Sequence, residues 1–374
     1  MDVLGKIKPV CLDEGSEKFA VGCGTMRRRG DIKFRSVHLC IFPETSLDFL
    51  KKCVLTCGAM KFTHVVLEFW GMVKYDFMKE LAWDFAYTKE QIKPVIDIAH
   101  AVGLEVIPMF NHFGHASASR INYGKHVVLD QNPRLATLFN DDGWVWNFED
   151  EKVYNILKNI RKELIELCGE GSYFHLGCDE AYSFGESEEK GRILAEYLNR
   201  IQKELDEEGR RAIIWGDMLL PKNEFKNYTN GENRYTANIE DEGMIKILSE
   251  KLDRKIVIAD WQYNVSETPW KSSQYFAERG FDVLCCPWQN VSSAIKTAKE
   301  ENLMGIMHTT WHTLSIDFWT VIYAGMCSWN EEEAITNSEL LRSYAASLVR
   351  KLAPSPGDYK KAGWAEKQTE DMIY

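Results

Sequence analysis

The sequence predicts an α/β protein, a single (β/α)8 TIM barrel. Two observations lead there. Apolar, β-branched runs of strand length alternate with amphipathic runs of helix length eight times after residue 33. No glycine-rich first turn appears, which a doubly wound open sheet usually carries, and this makes that sheet the second choice. Four consecutive strands end in tryptophan, at Trp215, Trp261, Trp288 and Trp311. A core-filling role would scatter such residues along the strands; their placement at one rim of a barrel favours an aromatic-walled pocket.

Taken in order, residues 1–30 are irregular, rich in glycine and charge, and read as an extension packed on the main body; Gly22-Cys23-Gly24 lies outside any strand-to-helix context and reads as a turn. The barrel spans 31–353. Its strands are expected at 34–42, 63–69, 104–110, 173–178, 211–215, 255–259, 281–285 and 303–309. Helical periodicity covers 47–60, 88–102, 148–168, 186–208, 239–252, 269–279, 291–300 and 316–326. Thr88 with Glu90 and Gln91 marks one helix start, and Gly103, Gly169 and Gly209 mark three stops. The long excursion over 116–147, with Trp144 and Trp146, is of a length that usually serves a site. Residues 354–374 form a polar tail.

The 374 residues are 45% hydrophobic and 27% charged, an ordinary globular balance. A net charge of -11 argues against a nucleic-acid footprint. The 12 Trp and 15 Tyr suit pockets for flat apolar faces, sugar rings included, although a large core accounts for many of them. No secretory signal and no apolar run of membrane-span length is present. Ten cysteines without a CxxC pair read as buried thiols of a reducing compartment, hence a cytoplasmic protein.

The stretch Tyr173-Phe174-His175-Leu176-Gly177-Cys178-Asp179-Glu180 alternates with period two and runs into two adjacent carboxylates. An Asp-Glu pair alone would read as an acidic turn; the inward His175 and Gly177 shift the balance towards a site. Other strand ends supply Glu68, His112 and His115, Asp217, and Asp260 to Tyr263. Carboxylates among aromatics suggest glycoside hydrolysis. Two-carboxylate enzymes place nucleophile and acid roughly 5 Å apart, usually on different strands. Here the acids are neighbours whose side chains diverge, which fits a substrate that supplies its own nucleophile.

His175-Leu176-Gly177-Cys178-Asp179-Glu180 closely resembles the His-x-Gly-x-Asp-Glu signature of the glycoside hydrolase family 20 β-N-acetylhexosaminidases. Phe34-Arg35-Ser36-Val37-His38-Leu39, Phe113-Gly114-His115, Trp215-Gly216-Asp217-Met218-Leu219 and Thr310-Trp311 extend the resemblance over about residues 34–320, nearest to the hexosaminidase D-like branch. The resemblance implies an exo-acting, retaining enzyme that removes terminal β-linked N-acetylglucosamine or N-acetylgalactosamine through an oxazolinium intermediate. It needs no cofactor and no metal. Its partner is an N-acetylhexosamine-terminated oligosaccharide or glycoconjugate, not nucleic acid or membrane, with a homodimer allowed.

The resemblance makes Glu180 the general acid/base and Asp179 the residue that orients the 2-acetamido group. Arg35 matches an arginine at the pocket floor. Glu68, His115 and Asp217 are further substrate-binding positions, Tyr263 is the candidate for the acetamido carbonyl, and Trp215, Trp261, Trp288 and Trp311 wall the pocket. Burial among tryptophans is expected to raise the pKa of Glu180. Each position has a plainer reading: Arg35 as a buried salt-bridge partner, Asp217 as a turn residue, His175 as a brace. The second strand ends Glu68-Phe69-Trp70-Gly71, where the branch usually has a second acid. Two alternatives stand beside this reading: a metal-dependent barrel hydrolase using His112, His115 and His312 with Asp and Glu as ligands, and a non-catalytic sugar-binding barrel.

Overall fold

Eight parallel strands close into a barrel in the computed structural model, which describes residues 10–11, 19–20, 30–116, 127–140, 143–311 and 314–352. The strands are β1 (Phe34–Cys40), β2 (His64–Glu68), β3 (Glu105–Met109), β4 (Tyr173–His175), β5 (Arg211–Trp215), β6 (Val257–Trp261), β7 (Val283–Cys286) and β8 (Gly305–His308). Each pairs with the next in sequence, and β8 returns to β1 with Gly305 opposite Phe34. The readings of 1–30 as an extension and 354–374 as a tail fall almost wholly outside the described residues, where only a two-residue antiparallel ladder, Val10–Cys11 with Phe19–Ala20, is seen.

Period-two alternation decides which side chains fill the barrel. Val66, Ile107, Ile213, Val257, Leu284 and Met307 meet inside it. Their neighbours along each strand face the helices α1 (Leu47–Ala59), α2 (Lys89–Ala101), α3 (Glu151–Cys168), α4 (Glu188–Glu207), α5 (Glu242–Lys251), α6 (Lys271–Glu278), α7 (Val291–Glu300) and α8 (Leu314–Asn330). In α2 the buried residues are Ile92, Val95, Ile96 and Ala99, an apolar stripe of helical period. The Thr88–Gln91 capping box forms as its sequence suggests.

A further helix, α9 (Ser338–Leu352), lies beyond the eight that the sequence predicts and packs on α1 and α8. This second cover explains why α8 is apolar on nearly every side: it is wedged between the barrel and α9.

The strand read at 173–178 is only three residues long. Gly177 and Cys178 take φ of 69° and 79°, and Glu180 one of 49°. Three left-handed residues in four cannot continue a strand. The segment still bonds sideways, Leu176 N–H to the Ile213 carbonyl at 2.8 Å and Trp215 N–H to the Gly177 carbonyl at 2.8 Å. The carboxylates therefore ride on a strained loop clamped into the sheet, a placement common at functional sites.

Candidate active site

Two glycines let the loop close. A Cβ on Gly177 would lie 1.7 Å from Asn111 Oδ1, and one on Gly114 would lie 1.8 Å from the Asp179 carbonyl. The β3 loop and the acid-bearing loop thus touch through backbone, which brings His115 against both acids. His115 Nε2 is 2.9 Å from Glu180 Oε2 and 3.4 Å from Asp179 Oδ2. Trp144 packs on the other side of the imidazole, ring centres 4.1 Å apart, and donates its indole N–H to the Glu180 carbonyl at 2.9 Å.

Asp217 opens a short helical turn, Asp217–Leu219, and its carboxylate also braces the acid-bearing loop. Its carboxylate accepts the Glu180 N–H at 2.9 Å, Asn238 Nδ2 at 2.7 Å and Trp261 Nε1 at 3.0 Å. Glu68 is filled in the same way, by His38 Nε2 at 2.9 Å, Asn111 Nδ2 at 2.8 Å and the indole N–H of Trp70, with the Cys40 thiol within 4.8 Å. Asp179 differs: it is buried, and its Oδ1 has no hydrogen-bond partner.

The charges follow from this wiring. Burial raises Asp179 to about 8, opposed by His115 and helped by Asp217 and Glu180. Burial also raises Asp217, to about 6, against the pull of the Glu180 amide and the Trp261 indole. For His115 burial works downward, but the charges of Asp179 and Glu180 and the hydrogen bond to Glu180 outweigh it and lift the imidazole to about 9. Glu180 corrects the sequence reading. Burial does push it up, yet the bond to cationic His115, its charge and the Tyr182 hydroxyl together hold it below the usual carboxylate range.

Arg35 is a second correction. Phe34 fills the barrel interior, so Arg35 points outward. It also lies at the N-terminal end of β1, where its guanidinium donates to the carbonyls of Lys61 at 2.9 Å and Ile32 at 2.6 Å and lies over Trp329. It ties the barrel bottom and does not reach the rim. Trp215 is also not a wall: it is fully buried in the barrel, edge-on to His38 and 4.5 Å from the His175 ring. The wall is formed by half-buried Trp311, Tyr263, Trp288 and Trp261. Trp311 donates its N–H to the Tyr263 hydroxyl at 3.0 Å, and Tyr263 packs against Trp261 and Trp288 at 5.1 and 5.7 Å.

His175 does brace the turn, its Nδ1 accepting the Gly177 N–H at 3.0 Å. His112 is buried behind the loop, its Nδ1 donating to the Phe110 carbonyl at 2.6 Å. His312 lies outside the described residues. Donor atoms of His38, Cys40 and Glu68 lie within 4.8 Å of one another, a set of types that can ligate a metal. Their wiring is already that of a carboxylate filled by hydrogen-bond donors. Site residues the sequence reading passed over are His38, Cys40, Asn238 and Tyr182. Inward parity on β1 could have singled out the first two, and adjacency to Glu180 the last; Asn238 sits in an unpatterned loop.

Fold and rim together define a (β/α)8 barrel of the glycoside hydrolase class. Residues 65–323 match the catalytic domain of glycosyl hydrolase family 20, and the chain belongs to that family. It is 28% identical to hexosaminidase D of Bos taurus over 136 residues, 36% of this chain and 37% of the relative. To hexosaminidase D of Homo sapiens it is 23% identical over 242 residues, 58% of this chain and 48% of the relative. The chain thus spans less than half the length of these curated relatives. Among solved structures, the chitobiase of Flavobacterium johnsoniae superposes with a TM-score of 0.60 at 16% identity, covering 86% of this chain and 52% of that one. The family 20 β-N-acetylhexosaminidase of Streptomyces coelicolor gives 0.61 at 14%, covering 90% and 74%. At such identities these structures share the fold.

Proposed function

We propose that the protein is an exo-acting, retaining β-N-acetylhexosaminidase that removes terminal β-linked N-acetylglucosamine or N-acetylgalactosamine by substrate-assisted catalysis. The observation that carries this reading is the contrast among the four acids at the rim. Glu68 and Asp217 have their lone pairs committed to protein donors, so neither is free to act as a nucleophile. Asp179 holds a buried, unpartnered Oδ1 next to Glu180, which is suited to accept an acetamido N–H.

In this reading Glu180 protonates the glycosidic oxygen as the bond to the anomeric carbon breaks. The acetamido carbonyl oxygen attacks that carbon in an intramolecular step of high effective molarity. Asp179 accepts the N–H and stabilises the oxazolinium charge. Tyr263, whose hydroxyl accepts from Trp311, directs its own proton at the carbonyl. Glu180 then takes a proton from water, which opens the ring with overall retention. Asp179, raised by burial, and Glu180, lowered by His115, hold one proton between them over the working range, and the positive charge developing at the acetamido group favours that proton on Glu180. Terminal sugars of oligosaccharides or glycoconjugates are the proposed substrates. The eight cysteines from Cys40 to Cys327 are buried and free, which supports a cytoplasmic location.

A panel of aryl β-glycosides tests the activity. N-acetylglucosaminide or N-acetylgalactosaminide should be cleaved, and the glucoside and galactoside should not. Equal cleavage of the 2-hydroxy sugars, or no cleavage of either N-acetyl sugar, contradicts the reading.

A further inference from the structure

The geometry points to Tyr182 as the platform of a subsite for the leaving group. Its ring stacks on the ring attached to the scissile oxygen, so the protein favours leaving groups that are themselves flat rings, pyranose or aryl, over small alkyl groups. This rests on the glycosidase reading above and adds what lies beyond the cleaved bond.

Three observations converge. The first is direction. Asp179 is 7% exposed, so the acetamido-bearing ring must lie inward, whereas the Glu180 side chain is 30% exposed and opens outward. A leaving group bonded to the oxygen that Glu180 protonates therefore exits past Glu180. The second is placement. Tyr182 is 62% exposed, its N–H is tied to the Glu180 carbonyl, and its phenol lies near enough to the Glu180 carboxylate to lower that acid. The ring thus borders the acid on its open side. The third is rigidity. Tyr182 N–H donates to the Glu180 carbonyl at 2.9 Å, and the short helical turn Tyr182–Phe184 is anchored by buried Phe184 against Phe113 and Phe148, ring centres 4.9 and 5.5 Å away. A large apolar ring is held to solvent on a fixed base, an arrangement suited to a binding platform. Trp144, tied to the Glu180 carbonyl, adds a second aromatic beside the acid.

The plainer role for Tyr182 is to orient Glu180 through its hydroxyl, and two variants separate the roles. Tyr182→Phe keeps the ring and loses the hydroxyl; Tyr182→Leu loses both. kcat/KM is measured for a β1,4-linked disaccharide of N-acetylglucosamine and for methyl N-acetyl-β-glucosaminide, whose leaving groups are both alcohols. The ratio of the two should fall about tenfold in Tyr182→Leu, the scale of one aromatic stacking contact, and persist in Tyr182→Phe. An unchanged ratio in the Leu variant, or equal falls in both, overturns the platform. Should the wild type cleave neither compound, the glycosidase reading fails by itself. Calorimetric binding of the disaccharide against the monosaccharide then tests the subsite, and loss of the disaccharide's advantage in Tyr182→Leu but not Tyr182→Phe remains the expected result.

Discussion

His115 Nε2 lies 2.9 Å from Glu180 Oε2 and 3.4 Å from Asp179 Oδ2, so one imidazole bridges two carboxylates that are neighbours in sequence. The bridge fixes where charge sits. Removing the cation releases both acids upward, because His115 lowers each of them. The wild-type profile of kcat/KM should be a bell. Its acidic limb lies below the ordinary glutamate value of about 4.3, and its alkaline limb near 8, where Asp179 loses its proton. In His115→Gln both limbs should move to higher pH. A bell that stays in place would overturn the bridging charge.

Asp179→Asn keeps the shape of the side chain and removes its charge. kcat should fall roughly 10²-fold or more, as for other electrostatic stabilisers, while KM changes by only a few fold. Steady-state kinetics on an aryl N-acetylglucosaminide reads this directly. A rise in KM at constant kcat would instead make Asp179 a simple binding group.

Glu180→Gln should lose orders of magnitude on alkyl or sugar leaving groups, which need protonation, and much less on activated aryl ones. A series of leaving groups of graded acidity measures it. Equal losses across the series would remove Glu180 from the acid role.

The two tryptophans read together as walls should now behave differently. Trp215 fills the barrel, and Trp215→Ala should cost about 3–5 kcal/mol of stability, read by denaturant unfolding. Trp311 is half-buried at the rim. Trp311→Ala should leave the fold intact and weaken sugar binding by about 1–3 kcal/mol. A Trp311 variant that unfolds would make it a core residue.

The barrel was legible because strand and helix periods survive in short windows, and the rim because parallel strands deliver their ends to one side. Val291–Glu300 and Arg211–Trp215 match the expected bounds, since both are simple periodic runs. What stayed hidden depended on direction. Arg35 stands one residue from an inward position, and a single step along a strand reverses the face. The strand at Tyr173–His175 looked longer because alternation continues in the letters while φ turns positive at Gly177. The lowered pKa of Glu180 depends on His115, 65 residues away in sequence, which no local pattern reveals.

In the proposed mechanism the substrate's acetamido oxygen is the nucleophile. The most direct measurement is kcat/KM for an aryl β-N-acylglucosaminide series in which the acetyl methyl carries zero, one, two and three fluorines. Each fluorine weakens the carbonyl oxygen as a nucleophile and leaves the glycosidic bond and leaving group unchanged. kcat/KM should fall steeply across the series, by orders of magnitude in all. A flat series, with the trifluoroacetyl compound cleaved as fast as the acetyl one, would contradict it.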